Sequence, residues 1–131
     1  MQAVTQTTVI IPNRPGALAD ILDIVSENGL NISALCVVDT TEHGLARMVV
    51  DDPDRLQNAL VECGIPFGSS KTLSIALPNT PGTLGEVARK LAAAKINIDY
   101  AYASASETAP ARAILGVSDP EKALAALGEQ A

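Results

Sequence analysis

The segment Ile11-Pro12-Asn13-Arg14-Pro15-Gly16-Ala17-Leu18 returns as Leu77-Pro78-Asn79-Thr80-Pro81-Gly82-Thr83-Leu84. The offset, 79 − 13 = 66 residues, is close to half of the 131-residue chain. Proline, asparagine and glycine at these spacings set a turn, and Pro15 and Pro81 suit the first position of a helix. A chain that makes this turn twice, a domain length apart, reads as a duplication. Later landmarks keep the order. Leu30-Asn31-Ile32 matches Ile96-Asn97-Ile98 at 97 − 31 = 66, and Asp52-Pro53-Asp54 matches Asp119-Pro120-Glu121 at 119 − 52 = 67. Arg47-Met48-Val49 resembles Arg112-Ala113-Ile114 at 112 − 47 = 65. Drift of a residue or so belongs in hairpin loops, where insertions are tolerated. The repeat predicts two domains, residues 1–69 and 70–131.

Each half reads as strand, helix, strand, strand, helix, strand. Thr7 to Ile11 and Thr72 to Leu77 are β-formers, and in the second Leu73, Ile75 and Leu77 alternate with Ser74 and Ala76. Leu18, Ile21, Leu22 and Val25 then fall on one helical stripe, as do Leu84, Val87, Ala88 and Leu91 in the second copy. Ile32 to Thr40 and Ile98 to Ser104 read as strands, followed by polar connectors at Asp39 to Gly44 and Ser106 to Pro110. Ala46 to Val50 and Arg112 to Val117 are the strands after them. Asp52 and Asp119 are good N-caps with proline at the next position. Leu56, Ala59, Leu60 and Cys63 make a second stripe. Gly64 to Lys71 holds the fourth strand of the first half and the link into the second. At an offset of 67 the partner of Ile65 would be residue 132, one past the 131 given, so the second half is expected to lack its closing strand.

Composition narrows the functions. With 47% hydrophobic and 18% charged residues, a packed core is expected. A net charge of −6 and nine scattered Lys and Arg argue against nucleic acid, whose phosphates call for clustered cations. Phe67, Tyr100 and Tyr102 are too few aromatics for a base-stacking sheet. No window has the length and purity of a membrane span, and no basic-then-apolar leader opens the chain. Two cysteines, Cys36 and Cys63, make neither a disulfide framework nor a zinc site, and both read as small core residues. A cytoplasmic protein is the expectation. His43 lies in a polar connector with no second ligand nearby, so neither a metal nor a cofactor is predicted. No activated nucleophile or acid–base pair is fixed by a motif, so no catalytic residue is named.

A βαββαβ unit is the ferredoxin-like plan, an α+β arrangement that hosts many functions. The residues narrow it. Asn13-x-Pro15-Gly16-x-Leu18, an amphipathic helix, then Asn31-Ile32 entering a strand resembles the ACT domain, as does Asn79-x-Pro81-Gly82-x-Leu84 followed by Asn97-Ile98. Both copies carry the full motif, so the chain is similar to a tandem ACT protein. The resemblance implies antiparallel sheets with two helices on one face and domains that pair side by side, as in a homodimer. It also implies a small effector, usually an amino acid, held at an ACT–ACT junction to regulate assembly or an enzyme of amino-acid metabolism in trans.

The residues say how such a ligand would be held. The first N–H groups of a helix lack internal partners and favour an anion, so Ala17 and Leu18, with Thr83 and Leu84, stand where a carboxylate would bind. Gly16 and Gly82 admit a ligand to the backbone. Asn13 and Asn79 offer side-chain amides, and Arg14 adds a charge that Thr80 lacks. Backbone carbonyls near Asn31-Ile32 and Asn97-Ile98 are the expected acceptors for an ammonium, and Asp99 is a second candidate for that role. The opposing reading has Asn13 and Asn79 only satisfying the turn and Gly16 and Gly82 only permitting close packing, since asparagine, proline and glycine are ordinary turn residues. A small ferredoxin-like enzyme and a ligand-independent assembly scaffold are the alternative functions.

Overall fold

The computed structural model describes residues 1–39, 42–104 and 110–128. In chain order these form β1 (Gln2–Pro12), α1 (Ala17–Glu27), β2 (Ile32–Asp39), β3 (His43–Val50), α2 (Pro53–Glu62) and β4 (Phe67–Leu77). There follow α3 (Thr83–Ala93), β5 (Ile98–Ser104), β6 (Ala111–Val117) and α4 (Pro120–Ala126). The connector residues Thr40, Thr41 and Ser106–Ala109 lie outside the described residues.

Two compact units result, residues 5–70, and residues 1–4 together with 71–131. β1 begins in the second unit and ends in the first, and β4 opens with Phe67–Ser70 in the first unit before continuing in the second. Of Gly64 to Lys71, expected to hold a strand and the link after it, residues 67–71 open one unbroken 11-residue strand that runs on to Leu77. β1 likewise starts at Gln2 rather than Thr7, since its first residues belong to another unit's fold.

In the first unit the strand order is β2-β3-β1, antiparallel throughout, with Thr7 opposite Met48 and Leu35 opposite Met48 from the other side. Residues opposite one another in neighbouring strands share a face. That face carries Val9, Ile11, Ala46 and Met48, and α1 and α2 cover it with Ile21, Val25, Leu56 and Leu60. In the second unit the order is β4-β6-β5, with Leu73 opposite Leu115 and Tyr102 opposite Ile114. Leu73, Ile75, Leu77 and Leu115 are covered by Val87 and Leu91 of α3 and Leu124 of α4. No strand follows α4 among the described residues, and residues 1–4 belong to this unit.

Local chemistry explains the element ends. Asp52 Oδ1 accepts from Arg55 N at 3.2 Å and Asp119 Oδ1 from Lys122 N at 3.1 Å, with proline at the start of both helices. Pro15 and Pro81 behave differently from expectation: α1 and α3 start two residues later. Arg14-Pro15-Gly16-Ala17 is a type II turn, closed by Ala17 N to Arg14 O at 3.3 Å, with Gly16 at φ 86° and ψ −13°. Thr80-Pro81-Gly82-Thr83 repeats it, with Gly82 at φ 91° and ψ −10°. Proline takes the second place in each turn and glycine the third, which only a positive φ satisfies. Cys63 caps the exposed end of α2 instead of joining the core, while Cys36 is half-buried in β2. His43 is exposed and opens β3 rather than lying in a loop.

Candidate effector site

The first turn is tied to the hairpin joining β2 and β3. Asn13 N donates to Glu42 O at 3.1 Å, and Asn13 Nδ2 donates to Asp39 Oδ1 at 2.9 Å. The register places Asp39 there: Asp39 pairs with Gly44, and Gly44 pairs with Ile11, so all three sit side by side at one end of the sheet. Between turn, helix and hairpin lies a cleft of about 140 Å³, lined by Asn13, Arg14, Ala17, Leu18, Val37 and Asp39 among others. Ala17 is buried and Leu18 half-buried, so they form its floor. Pro15 and Gly16 shape the turn without lining this cleft. Arg14 leans away along the helix, its Nη2 3.7 Å from Asp20 Oδ2 and its Nη1 3.3 Å from Pro15 O. A second hollow of about 200 Å³ on that side is mainly apolar, walled by Ile10, Ile21, Ile65 and Pro66.

The first turn of α1 carries the donors. Ala17 N is used by Arg14 O, and Asp20 N donates to Gly16 O at 3.0 Å. The amides left for an outside acceptor are those of Leu18 and Ala19, because first-turn N–H groups have no carbonyl behind them. No side chain caps the helix.

The second turn builds the same arrangement with other walls. Thr83 N reaches Thr80 O at 3.5 Å and Glu86 N reaches Gly82 O at 3.0 Å, which leaves Leu84 and Gly85 as the donors. The Thr83 hydroxyl lies 3.0 Å from Pro78 O and 3.1 Å from Thr80 O, a pin that Ala17 cannot supply in the first copy. The cleft beside it is about 300 Å³ and is lined by Asn79, Gly82, Thr83, Leu84 and Gly85. Its far wall is built of small residues, Ala103, Ser104, Ala111 and Ala113. Where the first copy has Val37 the second has Ala103, at 103 − 37 = 66, so the space is wider. Pro81, like Pro15, shapes the turn without lining the cleft.

Neither unit brings its own Asn-Ile segment to its own turn. Ile32 pairs with Val50, at the opposite end of β2 from Asp39, about 23 Å away for a strand of this length. Asn31 is engaged there, its N donating to Asp51 Oδ1 at 3.1 Å and its O accepting from Asp51 N at 3.2 Å. Ile98 pairs with Val117, again far from Ser104. Asn97 Nδ2 donates to Asp99 Oδ1 at 2.9 Å, so Asp99 stands with Asn97 and away from the cleft of its own unit. The residues the sequence reading passed over are Val37, Asp39, Gly44, Ala103 and Ser104. In the sequence Asp39 reads as the start of a polar connector; the signal for it is its place two residues after Val37, on the same face of an edge strand.

A family model of the ACT domain pair matches residues 2–123. The chain belongs to the ACT domain family. Among solved structures, this ACT pair is similar to the protein BT0572 from Bacteroides thetaiotaomicron, with a TM-score of 0.90 and 27% identity over 96% of this chain and 87% of that one. It also shares its fold with the ligand-free regulatory subunit of aspartate kinase from Thermus thermophilus, with a TM-score of 0.68 and 21% identity over 95% and 89% of the two chains. The corresponding subunit from Thermus flavus matches with a TM-score of 0.61 and 20% identity over 98% and 92%. No functionally curated protein matches the ACT pair. Among its described residues there is no cluster of metal-ligating side chains and no helix long and apolar enough to cross a membrane.

Proposed function

We propose that this ACT pair is a non-catalytic regulatory module that binds a small amino acid in the clefts beside its two Pro-Gly turns. Occupancy alters how it assembles with a second copy or with an enzyme of amino-acid metabolism. The observation that carries the proposal is the second cleft. At about 300 Å³ it matches the lower end of small-molecule sites, and two unengaged helix-start amides, Leu84 and Gly85, open onto it. Those amides suit a carboxylate, and the small wall residues leave room for a side chain. The aspartate kinase regulatory subunits, which share the fold, support the regulatory half of the reading. An Asn-Ile segment from a second copy would supply further acceptors, and a ligand held that way shifts assembly by its differential affinity for the two arrangements.

Thermal shift with each of the twenty L-amino acids tests this. One small group of related amino acids raises Tm by several degrees, since a ligand at about 100 times its Kd adds about 2.7 kcal/mol. Ala103→Phe, which fills the second cleft from an exposed strand position, lowers that shift without lowering the Tm of the free protein. A Tm indifferent to all twenty at millimolar concentration sinks the proposal.

A further inference from the structure

Asp39 puts a carboxylate on the wall of the first cleft. Asp39 Oδ1 accepts from Asn13 Nδ2 at 2.9 Å, which fixes the carboxylate on the wall of the cleft that also holds Leu18. An ionised carboxylate has about four lone-pair sites, so one bond from Asn13 leaves most of its accepting capacity free. Asp39 Oδ2 has no partner among the described residues. The other charge lining the cleft, Arg14, is turned toward Asp20 at 3.7 Å. The cleft therefore offers the Leu18 amide from the first turn of α1 on one side and an anionic acceptor on the other.

That pairing fits a zwitterion. A free α-amino acid carries one group for each wall, whereas a plain carboxylic acid brings only an anion and meets Asp39 as a like charge. Within the unit the Asn31 carbonyl cannot serve the ammonium, because it lies at the far end of β2 and already accepts from Asp51 N. We infer that Asp39 is the ammonium acceptor of the first cleft and the residue that makes this cleft select amino acids over their deaminated analogues. Specificity then comes from repulsion of the wrong ligand as much as from attraction of the right one. The inference rests on the reading that the turn clefts bind amino acids, and concerns which chemistry the first of them accepts.

The test is an NMR titration of the ¹⁵N-labelled chain. The Leu18 and Ala19 amides report the first cleft, and the Leu84 and Gly85 amides the second. Each amino acid that raises Tm is titrated beside the acid that lacks its α-amine, for example L-alanine beside propionate. In the native protein the amino acid moves the Leu18 and Ala19 signals with an affinity about tenfold or more above that of the deaminated acid, the worth of one charge-assisted bond. In Asp39→Asn that preference falls to about parity at Leu18 and Ala19, while the response at Leu84 and Gly85 is unchanged. Equal binding of both ligands at Leu18 in the native protein overturns the inference, and so does tighter amino-acid binding in Asp39→Asn, which would make Asp39 an excluder. A response at Leu84 without any at Leu18 also overturns it while leaving the amino-acid reading intact. Silence at both pairs of amides removes that reading itself.

Discussion

Gly16 and Gly82 do their work through backbone angle alone. A Cβ at either would meet no atom within 4 Å, yet both residues hold φ near 90°. The demand comes from the type II turn, whose third residue must be left-handed so that the chain can pass from Pro15 into α1 or from Pro81 into α3. Gly16→Ala and Gly82→Ala are each expected to cost about 1–2 kcal/mol in denaturant unfolding. Asparagine at the same positions costs less, because its short polar side chain tolerates the left-handed region. Equal losses for alanine and asparagine would show that space rather than angle fixes these glycines. Asp39 is a residue of the opposite kind: alternation with Val37 puts it on one face of β2, and strand register then brings it to Asn13.

At the scale of elements, much was legible in the sequence because local rules set it. The asparagine-proline-glycine turns, the Asp52 and Asp119 caps and the helical stripe of α1 depend on residues close together in the chain, whereas in α3 only Val87 and Leu91 of the expected stripe are buried and Leu84 and Ala88 are exposed. The strand ends did not follow from local rules. Thr7 and Thr72 look like strand starts, yet β1 extends back to Gln2 and β4 runs unbroken from Phe67, and the two ends of each strand belong to different units. Proline misled for a related reason, since Pro15 obeys turn geometry before it can obey helix geometry. The β5–β6 pair shows a contact that only register reveals. Gly116 lies where the Tyr100 ring crosses β6, and a Cβ there would collide with the ring's Cδ1, Cε1 and Cζ. Gly116→Ala is expected to lose about 1–3 kcal/mol by overpacking, and Tyr100→Ala in the same chain recovers part of it. Additive losses in the double variant would show that the two residues do not meet.

At the scale of the whole molecule, the duplication does not divide cleanly. The first unit closes its βαββαβ plan with Phe67–Ser70, whereas the second has no strand after α4 among its described residues and includes Met1–Val4 instead. Those four residues come from the other end of the chain, and no periodicity connects them to Lys71–Leu77. Removing residues 2–4 is expected to speed amide exchange at Thr72–Ile75 of β4 while leaving Ala46–Met48 of β3 protected. Uniform loss of protection would instead mean that the two units open together. The two clefts inherit the same inequality, one narrowed by Val37 and charged by Asp39, the other broad and walled by alanines.

The central claim is that the helix starts after the Pro-Gly turns hold the carboxylate of an amino acid. A crystal structure of the chain with the amino acid that gives the largest thermal shift tests it most directly. Ligand density is expected beside the second turn, with carboxylate oxygens within about 3 Å of the Leu84 and Gly85 amide nitrogens. A ligand bound with its carboxylate elsewhere, and those two amides facing only water, would contradict it.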